Sequence, residues 1–360
     1  MRKCANMQMM ERNNFLLYGA NGYTGKLITR MAADYGLSPI LAGRNESAIR
    51  QMADEFDMPY RVLDLDNEAE LKAVLSEVKL VLHAAGPFQH TAKPMIDACL
   101  KTGCHYLDIT GEIAVFEMCK SYHQKAIEAG ILLMPGVGFD VVPTDCMALF
   151  LKKQMPDATS LQLAFASVGG ALSHGTATAM AEGLGQGGAV RINGKIVKKP
   201  LGHKGMWVDF GPKKLYAMTI PWGDVSTAYH TTSIPDIETY TSISPKIFYW
   251  LKYQWMFNWL LRTDFIRSRV KKRIDSKPAG PEDEARANAT SLVWGEVTNA
   301  AGKEISARMQ GPDGYTMTAH TSLIIVKKIM EGTVSPGYHT PAEMFGEDLV
   351  LQVPGVKRWM

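Results

Sequence analysis

The sequence predicts an α/β fold in which a doubly wound parallel sheet is followed by a second, mixed α/β domain. Short apolar runs alternate with helical patterns through the first 136 residues, and a glycine-rich turn joins the first run to the first helix. From about residue 160 the pattern changes to alternating apolar and polar residues separated by turns. At 360 residues the chain is long for one domain. Hydrophobic residues make up 46% and charged ones 21%, enough for a sizeable core and against disorder. A formal charge of +3 is too small to imply a nucleic-acid partner.

The elements follow in order. Phe15 to Tyr18 reads as a buried strand, and helical spacing begins at Lys26 with Leu27, Ile28 and Met31. Ser38 to Gly43 is a second strand, followed by an amphipathic helix with Asn45 as its cap. A third strand ends at Asp64 and a fourth near Gly86 and Pro87. Further helices close at Gly103 and Gly130, and residues 104–110 and 131–136 supply strands five and six. A glycine-rich loop then enters a helix from about Thr144, so the boundary is placed after residue 146, giving domains 1–146 and 147–332. In the second domain, mostly antiparallel strands are interrupted by helices starting near His174 and Tyr315.

Gly19, Gly22 and Gly25 lie between strand and helix, where a dinucleotide fingerprint has physical meaning. Gly19 lets the chain turn, Gly22 lets backbone approach a pyrophosphate, and Gly25 lets helix and strand pack closely. The helix amino end then attracts the anion. An NAD-preferring site wants an acid at the end of the second strand, whereas this chain has Gly43 and Arg44. A cation there suits a 2′-phosphate, so the expected cofactor is NADP. Asp64, Gly86 and Pro87 stand at strand ends where adenine and the nicotinamide ribose are expected.

Five cysteines, odd in number and without a CxxC pair, suggest reduced thiols in a cytoplasmic protein. The histidines form no tight metal pattern, so no metal is expected. The opening residues lack an apolar core, so no signal peptide is expected, and Met7, Met9 and Met10 are alternative starts. Phe248 to Trp259 holds seven aromatics in twelve residues, and Lys246 to Arg273 carries eight basic residues against one acid. Three readings stay open for 246–273: a helix in peripheral membrane contact, a lid over an apolar substrate, or a core or homodimer helix.

The chain resembles the saccharopine dehydrogenase-like oxidoreductases, in the branch that includes the trans-acting enoyl reductases. "YGANGYTGKLI", "LAGRN", "AAGPF", "DACLKTGCHYLDITGE" and "GVGFDVVPTDC" carry the likeness, which extends to "SHGTATAMAEGLGQGG", "GPDGYTMTAHTSLI" and "GYHTPAEMFG". The resemblance implies a Rossmann-type NADP-binding domain, a mixed α/β domain, and a last segment, 333–360, returning to the first domain. It assigns Gly19, Asn21, Gly22, Tyr23, Thr24 and Gly25 to the phosphates, Arg44 and Asn45 to the 2′-phosphate, and Gly86 and Pro87 to the nicotinamide ribose.

The expected chemistry is hydride transfer between NADP(H) and a small-molecule substrate with a C=N, C=O or C=C group. No tyrosine has a lysine four residues on, which argues against the short-chain reductase arrangement. Asp140 and His174 are the candidate catalytic groups. Asp145 reads more readily as a helix cap. Glu112 either orients substrate or caps the helix after it, and Tyr315 and Thr316 read as packing. A non-catalytic NADP-binding protein and a membrane-surface-associated protein are the rival readings.

Overall fold

The computed structural model describes residues 12, 14–183, 185–253, 256, 258–261, 263–276 and 279–360, apart from the side chains of Glu182, Lys252, Leu260, Asp264, Arg267, Lys271 and Asp275. Cys4, the alternative starts, Trp255 and Phe257 lie outside the described residues.

The first strands are β1 (Phe15–Tyr18), β2 (Ile40–Gly43), β3 (Tyr60–Val62), β4 (Leu80–His83), β5 (His105–Asp108) and β6 (Leu132–Met134). The second region holds β7 (Ala158–Val168), β8 (Gly188–Ile192), β9 (Lys195–Lys199), β10 (Gly205–Asp209), β11 (Lys214–Thr219), β12 (Asp236–Ser242), β13 (Thr290–Asn299) and β14 (Glu304–Pro312). The chain ends with β15 (Gly337–Tyr338) and β16 (Lys357–Trp359).

The first sheet has the order β15-β6-β5-β4-β1-β2-β3, and all its pairings are parallel. Fully buried apolar runs such as Phe15–Tyr18 and Leu80–His83 suit a sheet covered on both faces. The chain starts at β1, moves to one edge and returns to β4, so strand order reverses between them. That reversal opens a crevice at the carboxyl ends, as in a Rossmann fold.

The second sheet runs β10-β11-β12-β7-β13-β14-β16, with the β8–β9 hairpin joined to β12. Most pairings are antiparallel, but β12 runs parallel to β7, making the sheet mixed. The final segment is divided. β15 extends the first sheet beside β6, whereas β16 pairs with β14 in the second. Of the segment 333–360, expected to return to the first domain, Gly337–Tyr338 joins the first sheet, whereas Lys357–Trp359 joins the second.

One core joins the two sheets. Leu17 and Ile28 pack in the same cluster as Met147 and Leu151 of the helix Val142–Gln154, as Leu161, Ile237 and Val293 of the second sheet, and as Leu323 and Ile325 of the helix Gly314–Glu331. Residue 146 falls within the helix Val142–Gln154. The other face of the first sheet is filled by Leu16, Val81, Phe88, Ile96, Tyr106 and Leu133.

Two helical stretches are more broken than their patterns predict. The helix expected up to Gly130 is interrupted at Tyr122, giving Ile113–Ser121 and His123–Glu128. The 246–273 stretch contains the helices Pro245–Lys252, Asn258–Leu261 and Asp264–Asp275. Among the described residues no helix is long and apolar enough to cross a membrane.

Candidate dinucleotide and substrate site

The three glycines of the first turn have different physical reasons to be glycine. Gly19 has φ +87°, and a Cβ there would lie 2.8 Å from the backbone of Ala84 and Ala85. A Cβ on Gly25 would lie 2.3 Å from the Gly19 carbonyl oxygen. Both serve the close packing of β1, the β4 loop and the helix Tyr23–Met31. Gly22 is exposed, and a Cβ there would meet only the Gly19 oxygen, at 3.2 Å. It is the N-cap of that helix, with no capping side chain and no acid in the first turn. The first-turn N–H groups have no intrahelical acceptor and point toward the crevice end of the helix, where an anion is favoured.

The side chains around this turn are partly committed elsewhere. The Tyr23 hydroxyl donates to the Pro281 carbonyl at 2.7 Å and accepts from Arg286 Nη1 at 3.1 Å. Its ring meets Tyr315 edge-on. Only the Tyr23 backbone is thus left for a phosphate. Asn21 Oδ1 lies beside Gly43, where a Cβ would come within 2.9 Å of it. Asn45 Oδ1 caps its own helix, accepting from Ala48 N and Ser47 Oγ, which leaves the amide Nδ2 as its donor. Arg44 is exposed beside it and makes no hydrogen bond or ion pair with the described residues. Asp64 is exposed past the end of β3 and accepts from Asp66 N. Thr24 is half-buried in the first turn.

The β4 loop lies against Gly19 and includes a cis Gly86–Pro87 peptide. It leads into the helix Phe88–Thr102, whose amino end is held by Glu112: the carboxylate accepts from Phe88 N at 2.9 Å and Gln89 N at 2.7 Å. Glu112 therefore caps the helix before it in the chain. Its own helix, Ile113–Ser121, receives no side-chain cap from it. His83 is fully buried, bonded to the Thr91 hydroxyl, and burial pushes its pKa down to about 3. It is a neutral core imidazole.

Asp140 completes this side of the crevice. It is half-buried, its carboxylate packs on Gly111, and its carbonyl accepts from Trp222 Nε1 at 2.8 Å. Desolvation, and then the negative charge of Glu112, push its pKa up to about 7. Phe139 and Phe165 meet edge-on at 5.9 Å, and Phe165 lies 4.9 Å from Trp222, forming an aromatic wall beside Asp140. Asp224, in the first turn of the helix Asp224–Thr232, is also buried. Burial, with Asp145 and Asp140 close by, holds its pKa well above the usual carboxylate range against a Thr144 hydroxyl.

Asp145 is structural. It accepts from Thr231 Oγ1 at 2.6 Å and Ala342 N at 3.1 Å, tying the helix Val142–Gln154 to two others. It lies in the first turn of its own helix, where a carboxylate pairs with the helix dipole, but the helix has no side-chain cap. Asp108, which the sequence did not single out, is similarly pinned by Tyr106 Oη, Thr110 N and Gly136 N, with a pKa pushed by burial to about 6.

His174 opens the helix His174–Glu182, and its N–H donates to Ala279 O at 2.8 Å. The adjoining Ser173 N–H donates to the Tyr315 hydroxyl at 2.5 Å, and Thr176 Oγ1 lies 3.2 Å from that hydroxyl. Tyr315 thus does more than pack. Ser173 and Thr176, on either side of His174, meet Tyr315, whose ring packs on Tyr23, whereas Asp140 lies with Glu112 and Trp222. Trp222 and Asp224 were missed in the sequence because "PWGD" has no motif to mark it.

A parallel sheet reversing beside an uncapped, glycine-bounded helix end is the arrangement that receives dinucleotides in open α/β sheets. Residues 15–134 match the saccharopine dehydrogenase NADP binding domain. The chain is 26% identical to a mouse saccharopine dehydrogenase-like oxidoreductase over 203 residues, covering 49% of this chain and 47% of that protein. It is 31% identical to a trans-acting enoyl reductase of Mycobacterium ulcerans over 141 residues, 36% of this chain and 33% of that one. These matches span half or less of each relative. A lipid droplet localized protein of Caenorhabditis elegans matches at 24% identity over 95% of this chain and 96% of its own. Apo saccharopine dehydrogenase (L-Glu forming) from Saccharomyces cerevisiae shares the fold, with a TM-score of 0.66, 13% identity and coverage of 96% and 99%. Residues 15–134 are thus similar to the NADP binding domain of the saccharopine dehydrogenases, and the whole chain shares the fold of one of them.

Proposed function

We propose that the chain is an NADP-dependent oxidoreductase moving hydride between NADP(H) and a C=N, C=O or C=C group of a partly apolar substrate. The observation that carries this reading is the open amino end of the helix Tyr23–Met31 at the sheet's reversal point, with Arg44 exposed beyond β2. Backbone N–H groups of Tyr23, Thr24 and Gly25 are the groups that would hold the pyrophosphate, and Arg44 with the Asn45 amide the 2′-phosphate. Bound NADP supplies or accepts the hydride.

Asp140 is the proposed proton donor. With its pKa pushed up to about 7 it holds its proton up to about neutral pH and can give it to the atom on which negative charge develops. Glu112 raises that affinity by its charge, and the Trp222 N–H fixes the backbone that carries Asp140. His174 is the second proposed polar group, on the Tyr315 side. The wall of Phe139, Phe165 and Trp222 supports an apolar substrate portion, as do the names of the enoyl reductase and lipid droplet relatives. A cytoplasmic placement and the division into units 1–146 and 147–332 belong to the same proposal.

The test is NADPH oxidation, followed by absorbance, across a panel of imines, ketones and enoyl thioesters of rising chain length. Turnover of at least one, improving with chain length, is expected. A protein that binds NADPH but oxidises it with no member of the panel is a non-catalytic NADP-binding protein instead.

A further inference from the structure

Large apolar side chains left in water concentrate in one part of this molecule. Ile247, Tyr249, Trp250, Tyr253, Trp259 and Phe265 are all exposed, Trp250 by 83% and Trp259 by 72%. The exposed Trp207 on the edge strand β10 continues the group through ring contacts. Trp207 lies 5.5 Å from Tyr216, Tyr216 lies 5.2 Å from Phe248, and Phe248 lies 5.5 Å from Tyr249. The helix Pro245–Lys252 is held by one face: Phe248 is buried with Met218 and Ile220, while Trp250 stands in solvent. A clustered patch of this kind marks an interaction surface.

Charge decides what fits it. Residues 246–273 carry eight of the chain's 39 Lys and Arg but one of its 36 Asp and Glu, so the remainder is net negative. Lys246, Arg269, Lys272 and Arg273 are exposed, and Arg269 lies over the Phe265 ring at 4.8 Å. Two-fold pairing of this segment with a second copy would set one basic run against another. An anionic lipid surface receives both features, burying aromatics at the headgroup level and pairing cations with phosphates.

We propose that 246–273 docks the protein on an anionic phospholipid surface, with Tyr249, Trp250, Trp259 and Phe265 entering the interface. The same patch continues inward, because Phe248 shares a cluster with Trp222 and Phe165, the aromatic wall beside Asp140. Apolar side chains thus connect the lipid-facing helix to the candidate site. This connection, unlike the docking itself, rests on the oxidoreductase reading.

The experiment is co-sedimentation of the full chain with phosphatidylcholine vesicles, with and without phosphatidylserine, beside NADPH titration and a measurement of mass in solution. Binding to the phosphatidylserine vesicles is expected, falling as salt rises and absent on phosphatidylcholine alone. Each cation at the surface is worth about fivefold, so Lys272→Glu with Arg273→Glu should weaken binding more than about tenfold. Tyr249→Ser, Trp250→Ser and Trp259→Ser together should abolish it while NADPH affinity stays. Absence of binding, equal binding to neutral vesicles, or a stable dimer that shields Trp250 would overturn the docking proposal. Vesicle binding intact without any NADPH binding would overturn the oxidoreductase reading and leave the docking standing.

Discussion

The two halves of the candidate site are built from different material. The proposed pyrophosphate end is one contiguous stretch, Tyr18 to Gly25, whose working parts are backbone N–H groups and missing side chains. The Asp140 end is assembled from side chains of three remote segments, at Gly111–Glu112, Phe139–Asp140 and Trp222–Asp224. A backbone site constrains neighbouring residues and leaves a fingerprint. A side-chain site depends on tertiary packing and leaves separate polar residues with ordinary surroundings.

The glycines offer the largest way to break that contrast. Gly22→Val should abolish NADPH binding with a stability loss under about 1 kcal/mol, since its backbone is extended and its only close neighbour is the Gly19 oxygen. Gly19→Val should lose about 3 kcal/mol or more, because a left-handed φ and a 2.8 Å backbone clash add together. Cofactor titration and denaturant unfolding separate the two outcomes. Similar unfolding losses in both variants would mean that the turn has no residue reserved for the cofactor.

At the other end, Asp140→Asn should lower kcat about a hundredfold. The sign of the pH effect follows from the raised pKa: the acid form persists to about pH 7 and is lost above it. Wild-type reduction should be flat on the acid side and fall as pH rises through about 7, and the variant should lose that step. A variant with the wild-type pH–rate profile would remove Asp140 from proton transfer.

Tyr23→Phe should have the smallest effect. It deletes the hydroxyl bonds to Pro281 and Arg286, about 1 kcal/mol of stability by thermal or denaturant unfolding. NADPH affinity should stay within about threefold, because the hydroxyl is committed to Pro281 and Arg286. A much larger affinity loss would place the Tyr23 hydroxyl on the cofactor.

What could be read from the sequence follows the same division. The parallel sheet, the Asn45 cap and the glycine turn are local patterns, and all three stand in the structure. Glu112 was visible as a polar residue near a helix start, yet the helix it caps begins 24 residues earlier, at Phe88. The parallel pairing of β7 with β12 was hidden because a strand's own pattern does not name its partner. Asp224 looks like any first-turn aspartate until the neighbouring carboxyls are placed. The tail's division between sheets was hidden because Gly337–Tyr338 and Lys357–Trp359 are too short to show where they pair.

Calorimetric titration of wild type and Arg44→Ala with NADPH and NADH asks whether the glycine turn and Arg44 together select NADPH. A charge-assisted contact to phosphate is worth about 1.5–3 kcal/mol. Wild type should therefore prefer NADPH, and Arg44→Ala should weaken NADPH roughly ten- to a hundredfold with NADH almost unchanged. A wild type that prefers NADH, or equal losses for both cofactors, would contradict the account.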